Sequence, residues 1–281
     1  MKVVFIGSGN VATQLGLALK SKGITISQIY SRTEANAQEL AEKLDSKYTN
    51  HVSEIDQTAD IYIYAIKDNS FLSFLNKFDL PQNAIHIHTA GSIHISHFDG
   101  YTNKYGVFYP LQTFSKEKTV DFSEIPICIE TSTEQVEIKL VELAYLLTNK
   151  VYILNSEQRR QLHLAAVFAC NFSNYMYDIA SEVLEKAGIG FEILHPLILE
   201  SASKIKTLTP YKAQTGPSVR NDQKTIKTHL WMLRRMPEFK KIYIQLSNDI
   251  YKRHKRTKVK LNFFKKLEDK MYEFIFSFSD K

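Results

Sequence analysis

Short apolar runs alternate with amphipathic stretches through the first half of the chain. Short apolar runs are typical of strands buried on both faces, whereas apolar residues at every third or fourth position are typical of helices. The pattern predicts helices at 11–22, 34–44 and 133–147, and strands at 2–6, 24–30, 60–66, 84–88, 106–109, 125–130 and 150–154. Strands that alternate with helices favour a mostly parallel, doubly wound α/β sheet.

The pattern changes at Ser156. Residues 157–186 contain neither Gly nor Pro and are apolar around most of the helical circumference, which is typical of a buried helix. Further helices are predicted at 191–206, 222–235, 237–254 and 258–276. We therefore expect an α/β domain over residues 1–155 and an all-helical domain over residues 156–281. An apolar central helix of this length needs a partner to cover it, so we expect a homodimer formed through the helical domain.

A glycine-rich turn joins the first strand to the first helix. Its sequence has the pattern Gly-x-Gly-x-x-Ala and consists of Gly7, Ser8, Gly9, Asn10, Val11 and Ala12. Between a strand and a helix, this pattern is the dinucleotide-binding fingerprint: the glycines permit a tight turn and close approach of a pyrophosphate, and the helix N-terminus favours its charge. The alternative is a glycine-rich turn that binds nothing.

The end of the second predicted strand indicates which dinucleotide is bound. An acidic residue in this place binds the ribose 2′-hydroxyl of NAD, whereas an arginine favours the 2′-phosphate of NADP. Here the strand ends in Ser31, Arg32 and Thr33, whose guanidinium and hydroxyl groups suit a phosphate. We predict NADP(H), the alternative being that Arg32 is an ordinary exposed residue.

Polar clusters follow three later strands, at residues 65–69, 88–92 and 109–113. Ligands of open α/β sheets bind outside the carboxyl ends of the strands. We expect Ala65, Ile66 and Lys67 to contact the cofactor, and His88 and Ser92 to hydrogen-bond a substrate or the carboxamide. Alternatively, His88 is a strand-end residue satisfied by the backbone. The neighbouring histidines at 86, 94 and 97 lack the spacing of metal ligands, so no metal is expected.

The predicted central helix carries polar residues on an apolar surface. His163 and Asn171 are eight residues apart and Asn174 follows three later, which places them along one side of the helix. Such groups bind substrate in a cleft, or form a hydrogen-bond network within the helical core. Downstream, Arg220 either clamps an anionic group or pairs with Asp222, which is suited to cap the next helix.

Composition and charge narrow the class of protein. The chain has 281 residues, of which 44% are hydrophobic and 23% charged, with a net charge of +6. Residues 1–155 carry 13 Lys and Arg against 17 Asp and Glu, whereas residues 156–281 carry 23 against 13. The positive net charge of the second half suits anionic binding partners there. The basic run 252–260 is interpreted as a solvated helix end, because no nucleic-acid recognition motif accompanies it.

The sequence shows no pattern of a signal peptide or a membrane span, and no cysteine spacing of a metal or redox site. The first apolar run is too short for a signal peptide, and no run approaches the ~20 apolar residues of a membrane span. Cys128 and Cys170 lie in apolar stretches without metal or redox spacing. We expect two buried, reduced thiols in a cytoplasmic protein.

Several of these segments together resemble a bacterial family of Rossmann-like proteins that carry a C-terminal domain of unknown function and are labelled NADP oxidoreductases. The similar segments are residues 7–12, 30–33, 88–92, 109–114, 163–171 and 215–222. More distantly, the first half is similar to pyrroline-5-carboxylate reductase and to deazaflavin-linked NADP oxidoreductases. These resemblances imply hydride transfer to or from a small C=N or C=O substrate, in a cleft between a nucleotide domain and a helical dimerisation domain.

One departure from these relatives bears on the chemistry. The β-hydroxyacid dehydrogenase relatives use a Lys and an Asn four residues apart on the first helix of the second domain, but Val167 stands four residues before Asn171. His163, one turn earlier, is then the candidate proton donor, with Asn171 orienting the substrate. We expect an NADP-dependent oxidoreductase of a small, anionic metabolite; the alternative is an NADP(H)-binding sensor or scaffold without catalysis.

Overall fold

The computed structural model describes the backbone of residues 1–276 and the side chains of residues 1–256. Eight strands form one sheet in the order β3-β2-β1-β4-β5-β6-β7-β8. Every neighbouring pair is parallel except β6 with β7. The strands are β1 Lys2–Ile6, β2 Thr25–Tyr30, β3 Lys47–Thr49, β4 Ile61–Tyr64, β5 Ile85–His88, β6 Tyr105–Pro110, β7 Ile127–Thr131 and β8 Val151–Ile153.

Helices connect the strands and then make up the remainder of the described chain. They are α1 Asn10–Ser21, α2 Glu34–Leu44, α3 Asp68–Leu75, α4 Glu134–Tyr145, α5 Ser156–Ala166, α6 Ser173–Glu185, α7 His195–Lys204, α8 Pro210–Ala213, α9 Pro217–Arg220, α10 Gln223–Met232 and α11 Pro237–Phe276. A π-helical segment, Val167–Phe172, joins α5 to α6. Short 3₁₀ turns occupy several of the remaining connections.

The predicted mostly parallel, doubly wound sheet followed by helices is confirmed. The short strand β3 and helix α3 in the first half were not predicted. Helix α3 was missed because its first residues, 68–70, are polar and follow a strand, which is also the pattern of a loop. The helices predicted at 237–254 and 258–276 are a single helix, α11. In the basic run 252–260, the side chains from residue 257 onward lie outside the described residues.

Each face of the sheet has its own apolar core. Alternate residues of a strand point to opposite faces, so that Val3 and Phe5 of β1 join one core and Val4 and Ile6 join the other. The second core is rich in aromatic residues and encloses His86, whose Nδ1 lies 2.9 Å from the Tyr64 hydroxyl. Burial lowers the pKa of His86 to about 4, so this imidazole is neutral at physiological pH.

A buried ion pair holds α5 against the sheet. Asn155 and Gln158 form a capping box at the start of this helix. One turn in, the guanidinium of Arg159 is 1% exposed and pairs with Glu130 of β7, while it also donates to the carbonyl of Ile93. Removing one partner of such a pair leaves an uncompensated buried charge, so the start of α5 is firmly placed.

The structure divides into two compact units, Met1–Ser173 and the chain from Asn174 onward. The last strand, β8, ends at Ile153, shortly before the change of sequence pattern at Ser156. Helix α5 and the π-helical segment, up to Ser173, nevertheless belong to the same unit as the sheet. The described side chains of the second unit bury little apolar surface, since α6, α7 and α10 contain no buried residue. No helix in the described part of the chain is both long and apolar enough to cross a bilayer.

Gly7 has a backbone conformation and surroundings that favour glycine. Its φ is +117°, and a Cβ there would lie 2.3 Å from the carbonyl oxygen of Ala65. Gly7→Ala should therefore lower the free energy of unfolding by about 2 kcal/mol or more, as measured by urea denaturation.

Gly9→Ala is the matched control, because residue 9 has a φ of −80° and a Cβ there meets nothing within 4 Å. Its stability should change by less than about 0.5 kcal/mol. Equal losses in the two variants would show that Gly7 is not held in a conformation that only glycine tolerates.

Candidate functional site

The turn after β1 packs directly against the end of β4. Because Gly7 has no side chain, its backbone can approach Ala65 closely, and the Gly7 amide donates to the Tyr30 carbonyl oxygen of β2 at 2.8 Å. Space remains open above Gly9, where a Cβ would find no neighbour within 4 Å. The turn is thus fixed by two strands and leaves room beside Gly9 for a ligand.

The start of α1 suits an anion. Its N-cap residue is Gly9, so no side chain caps the first turn, and this turn contains no acidic residue. An uncapped helix N-terminus presents unpaired N–H groups and a partial positive charge. The Asn10 side chain instead donates to the Phe114 carbonyl oxygen at 2.7 Å, which ties the loop after β6 to this helix.

A cavity of about 390 Å³ opens beside the turn at the carboxyl edge of the sheet. It brings together nine of the twelve residues predicted to bind the cofactor: Gly7, Ser8, Gly9, Ser31, Arg32, Thr33, Ala65, Ile66 and Lys67. The other three, Asn10, Val11 and Ala12, form the first turn of α1 and do not line the cavity. One face of α3 completes the wall, which sequence reasoning missed because it did not predict this helix.

The cavity lining is positively charged. Arg32, Lys67 and Lys77 contribute to it, and the lining includes no Asp or Glu. None of the three is in an ion pair with a described residue. Burial raises the pKa of the Tyr30 hydroxyl at the end of β2, and the positive charge of Arg32 partly opposes that shift. An anionic ligand would neutralise charge that the protein leaves unpaired.

The end of β5 lies further along the same edge. The Ser92 hydroxyl donates to the carboxylate of Asp68, which begins α3 after β4. His88 is fully buried, its ring is stacked on Phe98, and its Nδ1 accepts from the Ala90 amide at 3.2 Å. Burial lowers the pKa of His88 well below its usual range, so the ring is neutral.

His88 Nε2 has no hydrogen-bond partner among the described residues. Its Nδ1 is satisfied by the backbone, as the alternative interpretation expected, whereas the predicted contacts of His88 and Ser92 with substrate stay predictions.

His163 lies against the ends of β5 and β6. Its Nδ1 is 3.3 Å from the Tyr109 hydroxyl, and the two rings meet edge to face. A Cβ at Gly91 would lie 2.7 Å from the same nitrogen, so only a glycine leaves room for the imidazole there. His163 and Tyr109 are both half-buried, and burial raises the pKa of the Tyr109 hydroxyl, which keeps it protonated.

Tyr109 is the residue that sequence reasoning missed at this place. Its position at the end of β6 within a polar cluster was the available signal. Its pairing with a residue 54 positions away was not visible in the sequence.

The remaining predicted site residues lie elsewhere. Asn171 is exposed in the π-helical segment, and Asn174 and Arg220 belong to the second unit. Asp222 accepts from the Thr225 amide, and this bond chiefly lowers the pKa of its carboxyl group, with a smaller contribution from Arg220. The roles predicted for Asn171, Asn174 and Arg220 stay predictions. In the described part of the chain, no cluster of His, Cys, Asp or Glu is arranged to hold a metal ion.

Comparison with family models finds two matches that follow each other along the chain. Residues 2–91 match the model "NADP oxidoreductase coenzyme F420-dependent", and residues 125–250 match a domain of unknown function, DUF2520. No curated protein matches the chain.

A solved structure gives the same assignment for most of the chain. A protein from Bacteroides fragilis, assigned as an NADP oxidoreductase, is 45% identical with a TM-score of 0.87; the match covers 89% of this chain and 98% of that one.

The fold extends to more distant proteins. 1-Pyrroline-5-carboxylate reductase from Streptococcus pyogenes is 16% identical with a TM-score of 0.60, over 90% of this chain and 98% of that one. An imine reductase from Myxococcus stipitatus, solved with NADP+, is 16% identical with a TM-score of 0.61, over 93% and 95%. Both show a shared fold. Together with the 45% identity over nearly the full length of the Bacteroides protein, the two domain matches show that the chain belongs to the NADP oxidoreductase family that joins a Rossmann-like nucleotide domain to a helical domain of unknown function.

Proposed function

We propose that this NADP oxidoreductase transfers a hydride between NADP(H) and a small, anionic metabolite with an imine, keto or hydroxyl group. The observation that carries the proposal is the cavity beside the glycine turn, which is lined by cations and by no carboxylate. A lining of this charge favours the additional phosphate of NADP over the free ribose hydroxyl of NAD.

The residues present fit this cofactor. The open space above Gly9 and the uncapped start of α1 suit a pyrophosphate. Ser31, Arg32 and Thr33 line the cavity where β2 ends, and the Thr33 hydroxyl is not used to cap α2, so it remains available to a phosphate. The bound cofactor would supply the hydride, and the protein would supply binding and orientation.

His163 is the proposed proton donor and acceptor. It lies beside the loop that follows β5. Strand β5 is the neighbour of β4, and the residues at the end of β4 line the cavity. In a reduction, the imidazolium would give a proton to the nitrogen or oxygen that receives the electron pair of the C=N or C=O bond. Tyr109 can accept from a protonated Nδ1 or donate to a bare one, so it supports the ring in both protonation states.

We also propose residues that contact the substrate, and a cellular location for the protein. We assign Asn171 and Asn174 to orienting the substrate, and Arg220 to its anionic group, because amide and guanidinium donors suit such a ligand. Cys128 is buried as predicted, whereas Cys170 is exposed, so that part of the prediction is wrong. Both thiols are free, which is consistent with the cytoplasmic location that we expect.

A non-catalytic NADP(H) sensor is the second candidate. It is favoured by Val167, which stands where the dehydrogenase relatives place a catalytic lysine. The two functions differ in one observable respect: a sensor binds NADPH but consumes none with any imine or keto acid.

We also propose that the helical part mediates a homodimer. Its helices α6, α7 and α10 bury no residue, and large apolar side chains such as Leu197, Leu199 and Trp231 are more than half exposed. Apolar surface of this extent marks an interaction site, and a second copy of the chain is its simplest partner.

Arg32 should decide the choice of cofactor. Arg32→Ala should weaken NADPH binding about 10- to 100-fold and NADH binding by less than about twofold, because only NADPH carries the phosphate. Titration of cofactor fluorescence measures both. Lys47→Ala, which removes an exposed cation at the start of β3, serves as the control. Equal losses for the two cofactors would contradict the phosphate assignment.

His163 should be needed for turnover but not for binding. His163→Gln should slow NADPH consumption about 100-fold or more with a substrate found among imines and keto acids, while NADPH affinity stays unchanged. Tyr109→Phe should lower turnover less severely, since the imidazole remains. The exposed His51→Gln is the control. Full turnover in His163→Gln would refute its role.

The dimer should depend on the helical surface. Leu199→Asp places a charge at a side chain that is 70% exposed, and it should convert the dimer to a monomer in light scattering. Ile138→Asp changes a comparably exposed residue of α4 and should leave the dimer intact. A wild-type monomer, or a dimer that survives Leu199→Asp, would contradict the proposal.

A further inference from the structure

One face of α3 and the residues just beyond it line the cavity. Ser70, Ser73, Phe74 and Lys77 all contribute to the wall. Their spacing of three, four and seven residues is that of a single helical face. Lys77 follows the end of α3, but its amide donates to the Phe74 carbonyl oxygen at 2.9 Å, which holds residue 77 to the last turn. The cavity therefore has an ordered second wall, distinct from the glycine turn.

Aromatic packing joins this wall to the end of β2. The rings of Phe74 and Tyr30 lie 5.2 Å apart, both are buried, and both line the cavity. Arg32 follows Tyr30 by two residues, and Lys77 follows Phe74 by three. One packed pair of rings thus fixes the place from which each of the two cations extends into the cavity.

The charge of Lys77 is not used within the described structure. Its side chain is exposed and makes no ion pair with a described residue, although it shares the cavity with Arg32 and Lys67. Like charges that face one cavity repel each other unless an anion lies between them. Asp79, two residues along the chain, does not line the cavity.

The two lysines differ in which part of a dinucleotide they face. Lys67 follows Ala65 by two residues, and Ala65 is the residue that Gly7 contacts, so Lys67 extends from beside the glycine turn. The pyrophosphate expected at that turn is common to NAD and NADP. Lys77 extends from the wall that packs on the end of β2, where only NADP would place a phosphate.

We propose that Lys77 is a second cationic ligand of the adenosine 2′-phosphate, acting with Arg32 from the adjoining wall, and that it contributes to selection of NADP(H) over NAD(H). This inference rests on the proposed NADP(H) site. Lys67 binds the shared pyrophosphate and does not discriminate. The sequence predicts a cofactor contact for Lys67 but does not single out Lys77, because the role of Lys77 follows from where α3 lies.

Direct titration of NADPH and of NADH, followed by cofactor fluorescence, tests this assignment without any substrate. Lys77→Gln should weaken NADPH binding about tenfold and NADH binding by less than about twofold. Lys77→Arg, which keeps the charge, should bind NADPH almost as the wild type does. Lys67→Gln should weaken the two cofactors to a similar extent. Lys47→Gln, on the first residue of β3, should affect neither.

The salt dependence of binding gives an independent readout. The dissociation constant of NADPH should rise less steeply with salt in Lys77→Gln than in the wild type, because one screened attraction to the phosphate has been removed. The salt dependence of NADH binding should not change.

An unchanged NADPH affinity in Lys77→Gln, or an equal loss for both cofactors, would overturn the role of Lys77. That result would leave the NADP(H) site itself intact if Arg32→Ala still loses NADPH selectively. If the wild type does not prefer NADPH to NADH at all, the proposed cofactor is wrong and the role of Lys77 falls with it. Circular dichroism of each variant confirms that the fold is retained.

Discussion

The close approach of Gly7 to the end of β4 is the constraint on which the rest of the site depends. A side chain at residue 7 would meet the Ala65 carbonyl oxygen, so the turn passes beside that strand only with glycine there. This contact sets where α1 begins, uncapped, and leaves the space above Gly9 open. Two further strand ends and α3 then surround that space. Backbone geometry therefore shapes the cavity, and side chains decide which ligand suits it.

The side chains divide the carboxyl edge of the sheet into two regions of different chemistry. Near β2 and α3 the cavity presents cations without carboxylates, which favours a phosphorylated ligand. Near β5 and β6, the pair of His163 and Tyr109 supplies a group that can give and take a proton. The buried pair of Arg159 with Glu130 fixes the helix that carries His163. The proposed cofactor binding and the proposed proton transfer thus involve different elements of the structure.

Local features of the site were predictable from the sequence, whereas features that depend on tertiary packing were not. Gly7 and Arg32 stand at strand ends, which periodicity identifies, and both line the cavity. Lys77 was missed because α3 is short and starts with polar residues, and because its orientation depends on ring packing against β2. The pairing of Tyr109 with His163 joins distant parts of the chain. The fold was predicted more fully, since alternating strands and helices leave few topologies open.

Whether the cavity binds the 2′-phosphate of NADP(H) is tested most directly with two fragments that differ only in that phosphate. Adenosine 2′,5′-bisphosphate and adenosine 5′-monophosphate can each be titrated against the protein by calorimetry. The bisphosphate should bind at least about tenfold more tightly, because the unpaired cations of the cavity meet its additional phosphate. Equal affinities, or no binding of either fragment, would show that this cavity is not an NADP(H) site.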